Sequence, residues 1–279
     1  MRDIVYWPSA DRLIYLDEKA TPQYWDQHWK AEGRLPERNR WDDVVRVSTN
    51  HLRLGSRILE GGCGRGDKVK ALTDARFKVI GVDFAEQSVG QAKLDFPGLD
   101  IRLGDVRALD FPDHSFDGYW SVGVIEHFWD GYGRILAEAA RVLTPGGMLF
   151  LTAPWLSLYR RRKVRAGRYA SMEFATEPAT FFQFALSRDE VCAALRRHGF
   201  ELVRWRGLAS DVSLREEMIG LRRPVNWLLD SRGTLVKRVF RRAILSGLNA
   251  YCGHSFLAVA RRTAQDARLM ASAGVDLEL

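Results

Sequence analysis

The stretch Arg57-Ile-Leu-Glu-Gly-Gly-Cys-Gly-Arg-Gly66 constrains this chain more than any other. A short apolar run ends in a carboxylate, Glu60, and passes at once into glycine at 61, 62, 64 and 66. Glycine reaches positive φ without a Cβ penalty and lets a ligand approach the backbone closely. Asp67 to Arg76 has helical composition, so the unit reads strand, glycine loop, helix. Such a loop aims backbone N–H groups and the positive end of a helix at whatever lies over it, which predicts a nucleotide-like or anionic ligand.

The residues that follow keep the alternation. Phe77 to Val82 reads as a second strand ending in Asp83, Ala85 to Asp95 as a helix, and Ile101 to Leu103 as a third strand before Gly104-Asp105. Phe116 to Val122 is a fourth strand, Glu126 to Leu143 a helix, and Met148 to Ala153 a fifth strand. This spacing predicts an α/β fold with right-handed crossovers and a mostly parallel sheet covered on both faces. Ligands in such sheets lie beyond the carboxyl ends of the strands, where Glu60, Asp83, Asp105 and Ser121 all fall.

The ligand follows by elimination among nucleotides. A dinucleotide loop wants glycine at i, i+2 and i+5, and position 67 is Asp; a phosphate loop wants Gly-Lys-Ser/Thr, and Gly66-Asp67-Lys68 does not supply it. Glu60 would repel a pyrophosphate and suits a ligand with a cationic group. Asp83 is placed to take a ribose diol, and Asp105 to accept from an adenine amine or to cap a helix. Ribose, adenine and a positive tail together describe S-adenosylmethionine.

The ordered set Glu60 to Gly66, Gly81-Val82-Asp83, Gly104-Asp105-Val106, Phe116-Asp117 leading to Ser121-Val-Gly-Val-Ile-Glu-His127, and Leu143-Thr-Pro-Gly-Gly147 resembles the successive motifs of class I S-adenosylmethionine-dependent methyltransferases, over about residues 57 to 154. The resemblance implies a Rossmann-like, seven-stranded, mostly parallel sheet with an antiparallel last strand. It implies that Glu60 faces the methionine amino group, that Gly61, Gly62 and Gly64 let the cofactor approach, that Asp83 holds the ribose, and that Asp105 with the Val106 amide reads the adenine. Phe84 would then lie against the adenine and Ser121 beside the methionine part. The paired Gly61-Gly62 departs from the family's usual single glycine.

Outside this region, Trp25, His28 and Trp29 share one helical face, either packing on the main domain or forming a lid with Trp29 against the cofactor. Residues 1–56 are expected to form a helical lid, 57–262 the methyltransferase domain with insertions at 156–183 and 211–253, and 263–279 a tail. Ser187-Arg-Asp-Glu190 starts a capped helix, Phe200 to Trp205 reads as a sixth strand and Ser255 to Ala260 as a seventh. The insertions would build the acceptor pocket, with Phe181, Phe182 and Gln183 as its wall or as core. The basic run from Arg160 reads as a solvated loop or a seat for an anionic acceptor. His127, just past the fourth strand, is the candidate general base, or a structural histidine.

Residues 1–150 carry a net charge of −3 and residues 151–279 one of +10, so an anionic partner would meet the second half. No apolar run reaches the roughly 18 residues of a membrane span, and three scattered cysteines suit a reducing compartment. The expectation is a cytoplasmic enzyme with no metal, moving a methyl group by in-line displacement to an O or N atom of a small molecule. A methyltransferase acting on RNA or on a membrane-associated or anionic acceptor, and a non-catalytic binder of the cofactor, stay open.

Overall fold

The computed structural model describes residues 3–32, 41–217 and 235–263. The predicted tail over 263–279 therefore lies outside the described residues beyond Thr263, as does part of the insertion expected over 211–253.

A seven-stranded sheet is built from β3 (Arg57–Gly61), β4 (Lys78–Asp83), β5 (Asp100–Leu103), β6 (Phe116–Val122), β7 (Leu143–Pro154), β10 (Phe200–Leu208) and β11 (Ser255–Arg262). Its order is β10-β11-β7-β6-β3-β4-β5. Only β11 runs antiparallel to its neighbours β7 and β10. Because β4 and β5 lie to one side of β3, and β6 and β7 to the other, the strand order reverses between β3 and β6. A crevice opens there at the carboxyl ends, the place where this architecture holds ligands. Ile58, Leu59, Tyr119, Phe150 and Leu149 are essentially inaccessible to solvent, because helices cover both faces.

The covering helices are α2 (Asp42–His51), α3 (Asp67–Asp74), α4 (Glu86–Asp95), α5 (Gly133–Val142) and α7 (Arg188–Arg197). Ser187 caps α7 by accepting from the Glu190 amide, as its sequence predicts. The helix expected over 126–143 is shorter: a 3-10 turn at Ile125–His127 is followed by an extended Phe128, and α5 begins at Gly133. That turn holds Glu126 and His127 at the mouth of the crevice.

The amino-terminal region differs from a helical lid. It opens with a hairpin, β1 (Asp3–Trp7) and β2 (Arg12–Leu16), and only then enters α1 (Pro22–Glu32). β2 pairs antiparallel with β9 (Phe181–Ala185), and β1 with the short β8 (Ala170–Ser171), giving a second sheet of order β8-β1-β2-β9. One face of this sheet, with Val5, Ile14, Phe181 and Phe184, joins the main core. The other, with Leu13, Tyr15, Phe182 and Ala185, packs on Leu156 and Tyr169.

The basic run from Arg160 is not a solvated loop. It forms α6 (Leu158–Arg165), and Arg160 is fully buried. Its guanidinium meets Glu217 Oε1 at 2.7 Å, the Trp155 and His254 carbonyls at 2.9 and 3.0 Å, and His254 Nδ1 at 3.0 Å. Lys163 and Tyr169 hold Glu217 Oε2. Burial and the Arg160 charge bring His254 down to about 4, so it is neutral. This network ties α6 to α8 (Ser210–Glu217) and to the turn between α9 (Leu235–Cys252) and β11. Arg160 is thereby structural rather than a seat for an anionic acceptor.

Candidate functional site

The loop after β3 needs its glycines. Gly62, Gly64 and Gly66 have φ of +78°, +51° and +79°. A Cβ on Gly61 would fall 2.2 Å from the Tyr119 hydroxyl, and one on Gly62 2.3 Å from Val124 Cγ2. The amides of Gly62 and Cys63 donate to the Val82 carbonyl, which pins the loop to the end of β4.

Asp83 completes that attachment. Its two oxygens accept from the amides of Gly64 at 2.7 Å and Ala85 at 2.9 Å. Burial raises its carboxyl above the ordinary range in spite of these bonds. Asp83 thus organises the loop as well as facing the crevice, a double duty that its position past the glycines does not reveal.

Glu60 is wholly buried, and Lys68 of α3 stands 2.8 Å from its Oε1. The ammonium lies 4.9 Å from the Trp41 ring centroid. The protein itself therefore supplies a cation for the carboxylate predicted to want one, while Oε2 has no hydrogen-bond partner among the described residues. Ser121 Oγ and the Tyr119 hydroxyl, both buried, are likewise without partners. Unsatisfied buried polar atoms at the carboxyl ends of β3 and β6 are what a polar ligand in the crevice would relieve.

Trp29 reaches this loop from α1: its indole atoms stand 3.0–3.2 Å from where a Gly64 Cβ would be. Asp26, one turn earlier, accepts from the Ser88 amide and hydroxyl and so fastens α1 to α4. Phe84 is 38% exposed at the rim. Asp105 is also at the rim, where Arg107 clasps its carboxylate at 2.6–3.1 Å and, with its charge, holds the pKa low. Its carboxylate is thus engaged by Arg107. Val106 is buried beside Gly61.

His127 closes the 3-10 turn that follows β6. Its Nδ1 is 2.8 Å from the Phe182 carbonyl, and its ring packs edge-on to Trp25 and Phe182, each with centroids 5.1 Å away. A bulge in β9 sets this up: Tyr15 pairs with Gln183 and Leu16 with Phe181, leaving Phe182 as the extra residue. The bulge separates the three residues predicted as a pocket wall. Phe182 and Gln183 belong to the sheet face shared with Tyr15. Phe181 is a correction: its ring packs against Trp129 and Phe184 in the main core, because the inserted residue puts it on the opposite face.

Glu126 is the site residue that the sequence reading passes over. It is 3% exposed, Oε2 has no partner among the described residues, and burial pushes its carboxyl up to about 8. Burial thus favours its protonated form, one residue from His127. Its signal was a carboxylate following the apolar run Val122 to Ile125, overshadowed by the histidine beside it.

The glycine cradle, the carboxylates closing β3 and β4, the orphan hydroxyl on β6 and Trp29 beside Gly64 fit the amino, ribose and methionine parts of S-adenosylmethionine. Residues 59–151 match a family model described as methyltransferase domain. The chain is 32% identical over 183 residues to demethylmenaquinone methyltransferase of Geobacillus kaustophilus, covering 57% of this chain and 76% of that protein. It belongs to the S-adenosylmethionine-dependent methyltransferase family. A second relative, 27-O-demethylrifamycin SV methyltransferase of Amycolatopsis mediterranei, is 32% identical over 207 residues, 70% of this chain and 65% of that one. The chain spans about half the length of the probable S-adenosylmethionine-dependent methyltransferases of Mycolicibacterium smegmatis and Mycobacterium tuberculosis that it also matches. The crystal structure of the 4+2 cyclase SpnF superposes with a TM-score of 0.57 at 19% identity, covering 90% of this chain and 98% of that one, a likeness of fold alone. Among the described residues no helix is long and apolar enough to cross a membrane, and no cluster of metal-ligating side chains occurs.

Proposed function

We propose that this chain is an enzyme that methylates a small-molecule acceptor held between α1, the turn at Ile125–His127 and β9, with His127 as general base. The observation that carries the reading is the 2.8 Å contact between His127 Nδ1 and the Phe182 carbonyl. A carbonyl only accepts, so the neutral imidazole keeps its proton on Nδ1 and presents the Nε2 lone pair as the basic atom. When bound, S-adenosylmethionine supplies an activated sulfonium methyl group. The chain's own work is to align the acceptor and remove its proton. Glu60, Asp83, Ser121 and the glycine loop would hold the donor, Trp29 would cover it, and Trp25, Phe182 and Gln183 would wall the acceptor.

A small acceptor fits this frame because the roof over the crevice is formed by α1 and the second sheet, which are fastened to the main domain through Asp26 and β9. Its aromatic walls suit a planar or apolar body. Relatives whose names carry an acceptor point the same way, to demethylmenaquinone and to 27-O-demethylrifamycin SV. The test is a mass-spectrometric screen of phenolic, quinol and amine acceptors for gain of one methyl group. His127→Ala should lower turnover by about two to four orders of magnitude while S-adenosylhomocysteine affinity by calorimetry stays unchanged. Undiminished turnover would remove His127 from the reaction.

A further inference from the structure

A second cleft lies apart from the glycine loop. It has a volume of about 430 Å³ and opens where α6, the start of α7, the end of β10 and α9 meet. Its lining includes Trp155, Trp205, Arg161, Arg188 and Arg206. One wall, the end of β10, stands four positions from β3 in the sheet, roughly 19 Å at the spacing of neighbouring strands, and the other, Trp155 just past β7, stands two.

Its chemistry is one-sided. Trp155 and Trp205 meet edge to face with centroids 6.0 Å apart, and Phe256 stacks on Trp205 at 4.3 Å. The Arg188 guanidinium lies 5.7 Å from the Trp205 centroid. Trp205 Nε1 is a buried donor with no acceptor among the described residues. Two arginines, Arg161 and Arg188, face the cleft against one carboxylate, Asp189, while Arg206 follows Trp205 on β10 and so points to the opposite face of the sheet. Arg161 is partly neutralised by Asp11 at 2.9 Å, and Arg206 more weakly by Asp43 at 3.4 Å. Gly207 forms part of the wall, tight against the Asn249 carbonyl, so the floor is flat backbone there. Aromatic planes flanked by an unsatisfied indole donor and guanidinium groups recognise a flat apolar body that ends in an anion.

We propose that this cleft binds an organic anion with a planar apolar body and a carboxylate or phosphate group, at a site separate from the methyl donor's. The site does not depend on the chain being a catalyst. The experiment is calorimetric titration of the full chain with 2-naphthoate, 2-naphthyl phosphate and the uncharged 2-naphthamide, with and without saturating S-adenosylhomocysteine. Expected are one equivalent of anion bound, at least about tenfold tighter than the amide, with the same affinity in both conditions. The stronger of the two anions tells whether a carboxylate or a phosphate is the natural group. Arg161→Gln combined with Arg188→Gln should weaken the anion about tenfold while leaving S-adenosylhomocysteine affinity intact. Equal binding of the amide, competition by S-adenosylhomocysteine, or unchanged affinity in the double variant would each overturn the proposal. Should the double variant unfold, Trp205→Phe keeps a ring and removes the Nε1 donor. Several-fold weaker anion binding is then expected, and wild-type affinity refutes the site.

Discussion

Glu126→Gln is expected to make this protein more stable, by an amount that grows with pH. The carboxyl is buried at the head of the 3-10 turn, and burial raises its pKa from an ordinary 4.5 to about 8. Between those values the native state holds a proton that the unfolded chain has released, so stability falls as pH rises. Each pH unit within the window costs close to 1.36 kcal/mol. Allowing for partial titration at both ends, the loss between pH 5.5 and 7.5 comes to about 2–3 kcal/mol from this one group. Glutamine keeps the shape and does not titrate, so subtracting its urea unfolding curves from those of the wild type cancels every other group. The difference in unfolding free energy should widen by about 2–3 kcal/mol over that range, the variant gaining. A difference that stays flat, or that narrows, would show that Glu126 is ionised in the native state and would refute the burial argument. If the same carboxyl donates to the acceptor, Glu126→Gln retains much of the turnover and Glu126→Ala loses it.

Three further outcomes test the loop and its supports. Asp83→Ala strips the acceptor from the Gly64 and Ala85 amides and should weaken S-adenosylhomocysteine by at least about 100-fold in calorimetry, with about 2 kcal/mol lost in urea unfolding; wild-type affinity would dismiss the assignment. Gly61→Ala should cost about 1–3 kcal/mol by overpacking against the Tyr119 hydroxyl, and Tyr119→Phe in the same chain should recover part of it. A purely additive pair would mean the two do not meet. Arg160→Met leaves Glu217 buried with a weaker set of partners and should cost about 3–5 kcal/mol, largely restored by adding Glu217→Gln; a shift under about 1 kcal/mol would show the network to be loose.

The central sheet was readable because its strands are buried on both faces, which leaves continuous apolar runs between turn residues. The carboxylates followed from the rule that ligands gather at the strands' carboxyl ends. What escaped depends on partners far away in the chain. The hairpin of β1 and β2 is apolar on both faces, one serving the main core and the other Leu156 and Tyr169, so the two-residue alternation that marks a strand is erased. Arg160 reads as surface until Glu217 is placed beside it. The bulge at Phe182 has no local signature, yet it decides that Phe181 is core and that a carbonyl meets His127. Lys68 was within reach of the reading, eight residues from Glu60 and facing it from the first turn of α3.

The pairing of β2 with β9 has a consequence for synthesis. Leu13 and Ala185 are neighbours in space but lie far apart along the chain, so the hairpin emerges from the ribosome long before its partner strand exists. Until then Leu13, Ile14 and Tyr15, all buried in the finished fold, stand on an open strand edge. The charged residues around them, Asp11, Arg12 and Asp17, are suited to guard that edge in the interval. A nascent chain stalled before residue 181 should therefore bind a chaperone that grips extended apolar segments, and release it once β9 has been made.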